Sequence, residues 1–197
     1  MIVLTIDQRR SRQGEDKVQA LINQANNTVT HVRPFQRTAG DEVQAVFDEA
    51  MEAIHLAVMM AASGDWSVGL GYGEVELPLP KETRAGRGPA FVFAREAVER
   101  AKNTNAHLSV AGPTEEASRL EAELQLTVCI VSKRRATAWE AGTLADQGMT
   151  QQQIATRLGI TQQAVSSRLS AALWFEANRM MEEATKSLSR QLRKLGE

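Results

Sequence analysis

A single cysteine, Cys129, occurs among the 197 residues, so no disulfide framework can form within the chain. Cys129 lies in an apolar run, where a small core residue is the expected role. No apolar run approaches the ~18 residues that a membrane-spanning helix needs, and the first one stops at Asp7. Neither a signal peptide nor a membrane span is therefore expected, and the default compartment is the cytoplasm. Charge of one sign is also lacking. Lys and Arg number 23 against 24 Asp and Glu, for a net charge of -1. That balance excludes a histone-like cationic protein but leaves room for a locally basic DNA-binding face. No internal repeat or low-complexity segment is visible. The 43% hydrophobic content suits a globular chain, long enough for one large or two small domains.

Elements can be read along the chain from hydrophobic periodicity and turn signals. Ile2–Ile6 reads as a short buried strand and Asp16–Gln24 as a helix with Val18, Leu21 and Ile22 on its apolar side. Val32–Phe35 and Val43–Phe47 read as strands joined across a tight turn at Ala39, Gly40 and Asp41. An apolar helix follows over Ala50–Ala62, then a glycine-rich strand over Trp66–Val75 and a long loop over Glu76–Gly88. A helix from Pro89 to Lys102 and a strand around His107–Ala111 complete an α+β pattern with a mixed or antiparallel sheet. Helices are expected over Glu115–Lys133 and Arg134–Asp146, and again over Leu173–Leu195. The last carries a stripe of Leu173, Ala177, Met180, Ala184, Leu188, Leu192 and Leu195 that would pack on its own domain or form a dimer.

The segment Thr150–Ser170, TQQQIATRLGITQQAVSSRLS, reads as a helix-turn-helix. Thr150 can cap a first helix whose apolar face is Ile154, Ala155 and Leu158. Gly159 permits the left-handed turn that stops it. Thr161 can cap a second helix, with Val165 and Leu169 inward. Gln162, Gln163, Ser166 and Ser167 then face outward, toward DNA base edges. Arg157 and Arg168 suit phosphate contacts, which hold the module without reading sequence. The tail from Thr150 is mildly basic, with Arg157, Arg168, Arg179, Lys186, Arg190, Arg193 and Lys194 set against Glu176, Glu182, Glu183 and Glu197.

Ile154, Ala155, Leu158, Gly159 and Ile160, then Thr161, Ala164, Val165, Ser166, Arg168 and Leu169, carry a pattern that resembles the helix-turn-helix of sigma-factor region 4 and related response-regulator output domains. The resemblance covers about 50 residues. It implies major-groove reading by Gln162, Gln163, Ser166 and Ser167, while the helix start at Thr161 is placed to meet DNA phosphate. Nothing in the N-terminal half looks like the other regions of a sigma factor.

Three N-terminal elements stand out: Leu4–Arg12 (LTIDQRRSR), Thr38–Gln44 (TAGDEVQ) and Gly86–Ala97 (GRGPAFVFAREA). If the strands pair side by side, Asp7, Asp41 and Glu42 converge, and converging carboxylates can hold a hard divalent cation. Turn capping by Asp41 and solvated arginines account for the same residues without a ligand.

On these elements the whole chain resembles the SatD-like family of bacterial proteins, described as DNA-binding or regulatory. Their order is also similar to class III nucleotidyl cyclases and diguanylate cyclase domains. That resemblance implies a palm-like fold with a possible Mg²⁺ or Mn²⁺ site at Asp7 and Asp41, with Glu42 adjacent. It also implies nucleotide contacts from Arg12, Arg87 and Arg95. Where a cyclase helix offers Asn this chain has Val92 or Phe93, which points to binding without turnover or equally to a scaffold with a spent site.

The expected architecture is an α+β ferredoxin-like or palm-like domain over residues 1–112, a linking helix over 113–133, and an all-α helix-turn-helix domain over 134–197. The expected function is a sequence-specific transcriptional regulator that binds double-stranded DNA as a homodimer, with an N-terminal sensing or scaffold domain. No cofactor is firmly expected. The alternatives are a Mg²⁺- or Mn²⁺-dependent nucleotide-binding, cyclase-like enzyme and a protein-interaction adaptor.

Overall fold

Alternation along the first strand shows how the molecule is layered. Strand β1 (Ile2–Gln8) sends Ile2, Leu4 and Ile6 to one face and Val3 and Thr5 to the other, all fully buried. A strand covered on both faces reads as a continuous apolar run rather than a clean alternation. The computed structural model describes residues 1–11 and 14–196. In it β1 is the centre of a five-stranded sheet with β2 (Arg33–Arg37), β3 (Glu42–Phe47), β4 (Trp66–Tyr72) and β5 (Leu108–Ala111), in the order β2-β3-β1-β4-β5. β1 is antiparallel to β3 and β4, β2 is antiparallel to β3, and β5 is parallel to β4.

Helices α1 (Val18–Thr28) and α2 (Ala50–Ser63) cover the face of Ile2, Leu4 and Ile6. Helix α3 (Pro89–Ala101) covers the opposite face. It lies so close to β4 that a Cβ at Gly69 or Gly71 would stand 2.3 or 2.2 Å from α3 backbone atoms. The glycine-rich strand is therefore a flat seat for this helix. Beneath α3 the sheet grades from apolar to charged. Val46 and Val3 pair at one end, Gln44 and Thr5 in the middle, and Glu42, Asp7 and Ser67 at the other.

Element boundaries shift where tertiary ties override local sequence. α1 runs on to Thr28 because Asn26 clasps the Phe35 backbone, accepting from its N–H at 2.7 Å and donating to its carbonyl at 3.1 Å. β4 stops at Tyr72, short of the expected Val75. Glu74 and Glu76 instead leave the sheet to bond Ala90 and Arg87 at the start of α3.

Five more helices among the described residues follow: α4 (Glu116–Val131), α5 (Ala136–Asp146), α6 (Gln151–Leu158), α7 (Gln162–Ala171) and α8 (Trp174–Gly196). α8 returns to the sheet body and packs on α2 and α4. Its Ala177, Ala184 and Leu188 are buried in one core with Leu120, Leu124 and Val128 of α4. Most of the apolar stripe noted in the sequence is thus used within the chain, whereas Leu173 stays 42% exposed. No helix among the described residues is long and apolar enough to cross a membrane.

Candidate nucleic-acid interface

Helices α6 and α7 begin where their residues dictate, and α6 also ends so. Thr150 caps α6 in a reciprocal capping box: its Oγ1 accepts from the Gln153 N–H at 3.3 Å, and Gln153 Oε1 accepts from the Thr150 N–H at 2.8 Å. Gly159 ends α6 with φ +65°, a left-handed conformation that a side chain resists. Thr161 caps α7, accepting from the Ala164 N–H at 3.1 Å. Caps of this kind contribute about 1 kcal/mol each.

A small core holds the trio together. Ala141, Ile154, Ala155, Val165, Leu169 and Trp174 are all buried there. Trp174 sits against Gly142, where a Cβ would meet its ring at 2.3 Å. It meets Trp139 edge-on at 5.2 Å and donates from its indole N–H to Asp146 at 2.8 Å. The Arg134 guanidinium lies 4.1 Å from the Trp174 ring centre and donates to the carbonyls of Ala172, Leu173 and Trp174. Burial draws its pKa below the usual arginine value, while Asp146 opposes that shift.

With Val165 and Leu169 inward, α7 turns Gln162, Gln163 and Ser167 fully outward, while Ser166 is half-buried. Thr161, the cap itself, is exposed. Arg157 is exposed near the end of α6. Arg168 does not project freely: it leans toward Glu140 of α5 at 3.8 Å. Sequence reasoning missed its neighbours. Lys133, Arg134 and Arg135, at the junction of α4 and α5, line a cleft of about 420 Å³ with Ser167 and Arg168. The signal was there, in the run of three consecutive cations that precedes the helix.

The carboxylates of the sheet body are arranged differently. Asp7 and Glu42 are register partners on adjacent strands, and Asp7 and Asp41 line one large cleft. Yet the Lys102 ammonium stands 3.2 Å from the Asp7 carboxylate, where a cation would bind, and the Glu42 carboxylate accepts from the Thr38 hydroxyl. Among the described residues no three His, Cys, Asp or Glu side chains are grouped to hold a metal ion. As placed, these residues do not fit a divalent cation. Burial pushes the Asp7 carboxyl above its ordinary pKa. Lys102 draws it back, and Asp41 and Glu42 add to the rise. Arg87 and Arg95 line a separate cleft together with Arg84. Arg12 lies outside the described residues.

The geometry of the trio agrees with a family match. The family described as Sigma-70, region 4 matches residues 130–173, from the last turn of α4 through α5, α6 and α7. The chain is therefore similar over that span to a helix-turn-helix DNA-binding region, and the coarse expectation of such a module holds. No curated protein and no solved structure matches the chain.

Proposed function

We propose that the protein is a sequence-specific DNA-binding transcriptional regulator, with α7 as the helix that enters the major groove. One observation carries this reading. α7 has a fully buried side, Val165 and Leu169, and an outward side whose polar groups Gln162, Gln163 and Ser167 have no structural duty in the trio core. A glutamine amide can pair bidentately with adenine, and small hydroxyls meet either a base or a phosphate. Arg157 and the basic cleft of Lys133, Arg135 and Arg168 supply sequence-independent attraction to phosphates. In this reading residues 134–197 form the DNA-binding unit, residues 113–133 link it, and residues 1–112 sense or scaffold.

The order of elements supports a ferredoxin-like N-terminal unit. β1, α1, β2, β3, α2 and β4 follow one another with both helices on one face and strands ordered β2-β3-β1-β4. The regulator would act as a two-fold dimer, so that two copies of α7 address two half-sites. Because α8 is used within the chain, the exposed face of α4 around Leu126 is the better dimer surface. Leu126, 56% exposed, borders an apolar groove with Cys129, Ile130 and Leu173. Leu126→Glu is expected to convert a dimer to a monomer by sedimentation equilibrium. A dimer retained in the variant removes this surface.

The reading is tested by binding to promoter-region DNA beside an unrelated duplex across a salt series. Preference for one duplex, lost in Gln162→Ala/Gln163→Ala while the salt slope is unchanged, is the expected result, at about 1–3 kcal/mol per lost base contact. Equal weak binding to both duplexes, unaffected by the substitutions, rejects it.

A further inference from the structure

The helix-turn-helix joins the sheet body through two chain links. One is the segment 132–135 between α4 and α5, and the other is Ala172 and Leu173 between α7 and α8. The second link is tight. Leu173 takes φ +46°, a left-handed conformation that a side chain resists, and the last carbonyls of a helix find no partner within it. Both links meet on one side chain. Arg134 leaves the first link and lays its guanidinium on the second. Its Nε donates to the Ala172 carbonyl at 3.3 Å, and Nη2 donates to the carbonyls of Leu173 and Trp174 at 3.4 and 3.3 Å. Each bond is long for N–H···O, so the hold depends on all three carbonyls and on the ring beneath them.

That ring is Trp174, 4.1 Å from Arg134 Cζ, with Trp139 of α5 at 5.4 Å. Asp146 is the acid whose charge acts on Arg134, but its carboxylate is taken up by the Trp174 indole at 2.8 Å and by Asn178 at 3.2 Å. Lys133 and Arg135 on either side are exposed, whereas Arg134 is half-buried. The position is mechanically sensitive. Gln162 stands roughly 16 Å along α7 from Leu173, at about 1.5 Å per residue. A tilt of roughly 10° at this link therefore moves it by roughly 3 Å, a full hydrogen-bond length. Base-edge pairing does not survive such a shift. Attraction to phosphates, felt over about 10 Å, does.

We propose that Arg134 is a specificity-determining residue that does not touch DNA: it fixes the angle at which α7 leaves the α4–α8 pair, and with it the base edges that Gln162 and Gln163 reach. The proposal rests on α7 as the reading helix. A guanidinium suits this work, because its planar fork serves several carbonyls while its face lies on an indole. The ammonium of a lysine keeps the charge but not the fork. Loss of Arg134 releases the angle of α7 without removing the cations offered to phosphates. A residue that contacted phosphate would behave in the opposite way. Its removal would weaken binding to all sequences alike and lower the salt slope by about 1.

The test has two arms, both on the full chain with Arg134→Met and Arg134→Lys. The first measures affinity for promoter-region DNA and for an unrelated duplex across a salt series. Arg134→Met is expected to cut the ratio of the two affinities about tenfold or more, as the loss of one bidentate base contact does. Affinity for the unrelated duplex and the salt slope are expected to hold, and Arg134→Lys is not expected to restore the ratio. The second arm uses no DNA. It measures the distance distribution between spin labels at Gln163→Cys and Met51→Cys, both at exposed positions, in a Cys129→Ser background. The distribution is expected to be narrow with Arg134 and broad in both variants. Should Arg134→Met melt α5–α7, seen as lost helicity, Arg134→Lys carries both arms. An unchanged affinity ratio overturns the proposal, as does a distribution that stays narrow. So does a uniform loss on both duplexes that lysine restores, which would make Arg134 a phosphate contact. Absence of any preference with Arg134 in place rejects the reading helix instead, and the distance arm still decides whether Arg134 sets its angle.

Discussion

The helix-turn-helix and the sheet body treat their polar side chains in opposite ways. In α7 they lie within a few residues of one another and face away from the core. In the body they come from distant segments and meet inward, beneath or beside α3. Gln44 of β3 donates to Thr5 on the adjacent strand β1, and Lys102 at the end of α3 reaches Asp7 at the end of β1. Glu121 of α4 accepts from both Arg100 and the Val110 backbone. The first arrangement can be written in a short stretch of sequence. The second exists only once the strand order is set, so a single change can dismantle it from far away.

The strongest way to break the comparison is Gly71→Val. Its side chain would be driven into the backbone of α3, which cannot rotate away as a side chain can. The cost is expected to exceed the ~3 kcal/mol of ordinary overpacking and to abolish cooperative thermal unfolding of the body. A variant with an unshifted midpoint would contradict the close approach.

Trp174→Ala comes next, at about 3–5 kcal/mol. It removes the ring wedged among Gly142, Trp139 and Arg134. Hydrogen exchange is expected to quicken in α5, α6 and α7 while β1 and β4 remain protected. Equal acceleration in both would mean that the two regions share one core.

The smallest effect sharpens the contrast at Asp7. The carboxyl titrates above its ordinary value in the folded chain because burial outweighs the pull of Lys102. Ionising it therefore costs stability. That cost is absent below the unfolded pKa, grows as pH rises through the unfolded and folded values, and persists at neutral pH. Lys102→Met is expected to raise the Asp7 pKa further, followed by carboxyl chemical shifts in an NMR titration. A fall would show that Lys102 contributes no stabilising charge there.

Legibility in the sequence followed the same division. The α6–α7 module could be read almost residue by residue, since Thr150, Gly159 and Thr161 act on their immediate neighbours. Strands and helices of the body were visible too, because β1 and β4 carry strong local patterns. That Gln44 shares a cleft with Arg84, Arg87 and Arg95 was not visible, because Gln44 stands about forty residues or more before them in the chain. Asp7 lies near Asp41 and Glu42 at one end of its strand, as side-by-side pairing of those strands requires. The lysine that meets it comes from the far end of another helix, which periodicity could not foretell. Arg168 was read as a phosphate contact, and nothing local reveals Glu140 of α5, toward which it leans.

The helix-turn-helix hangs from the body by two covalent crossings, α4 leading in and α8 leading out, and these two helices pack on each other. A module on a single flexible string would reorient on its own clock. Here fluorescent probes placed at Gln163 and on β1 are expected to lose polarisation with the same decay time, set by the tumbling of the whole particle. On the proposed reading, in which α7 enters the DNA groove, any torque on that helix is delivered directly to the sheet.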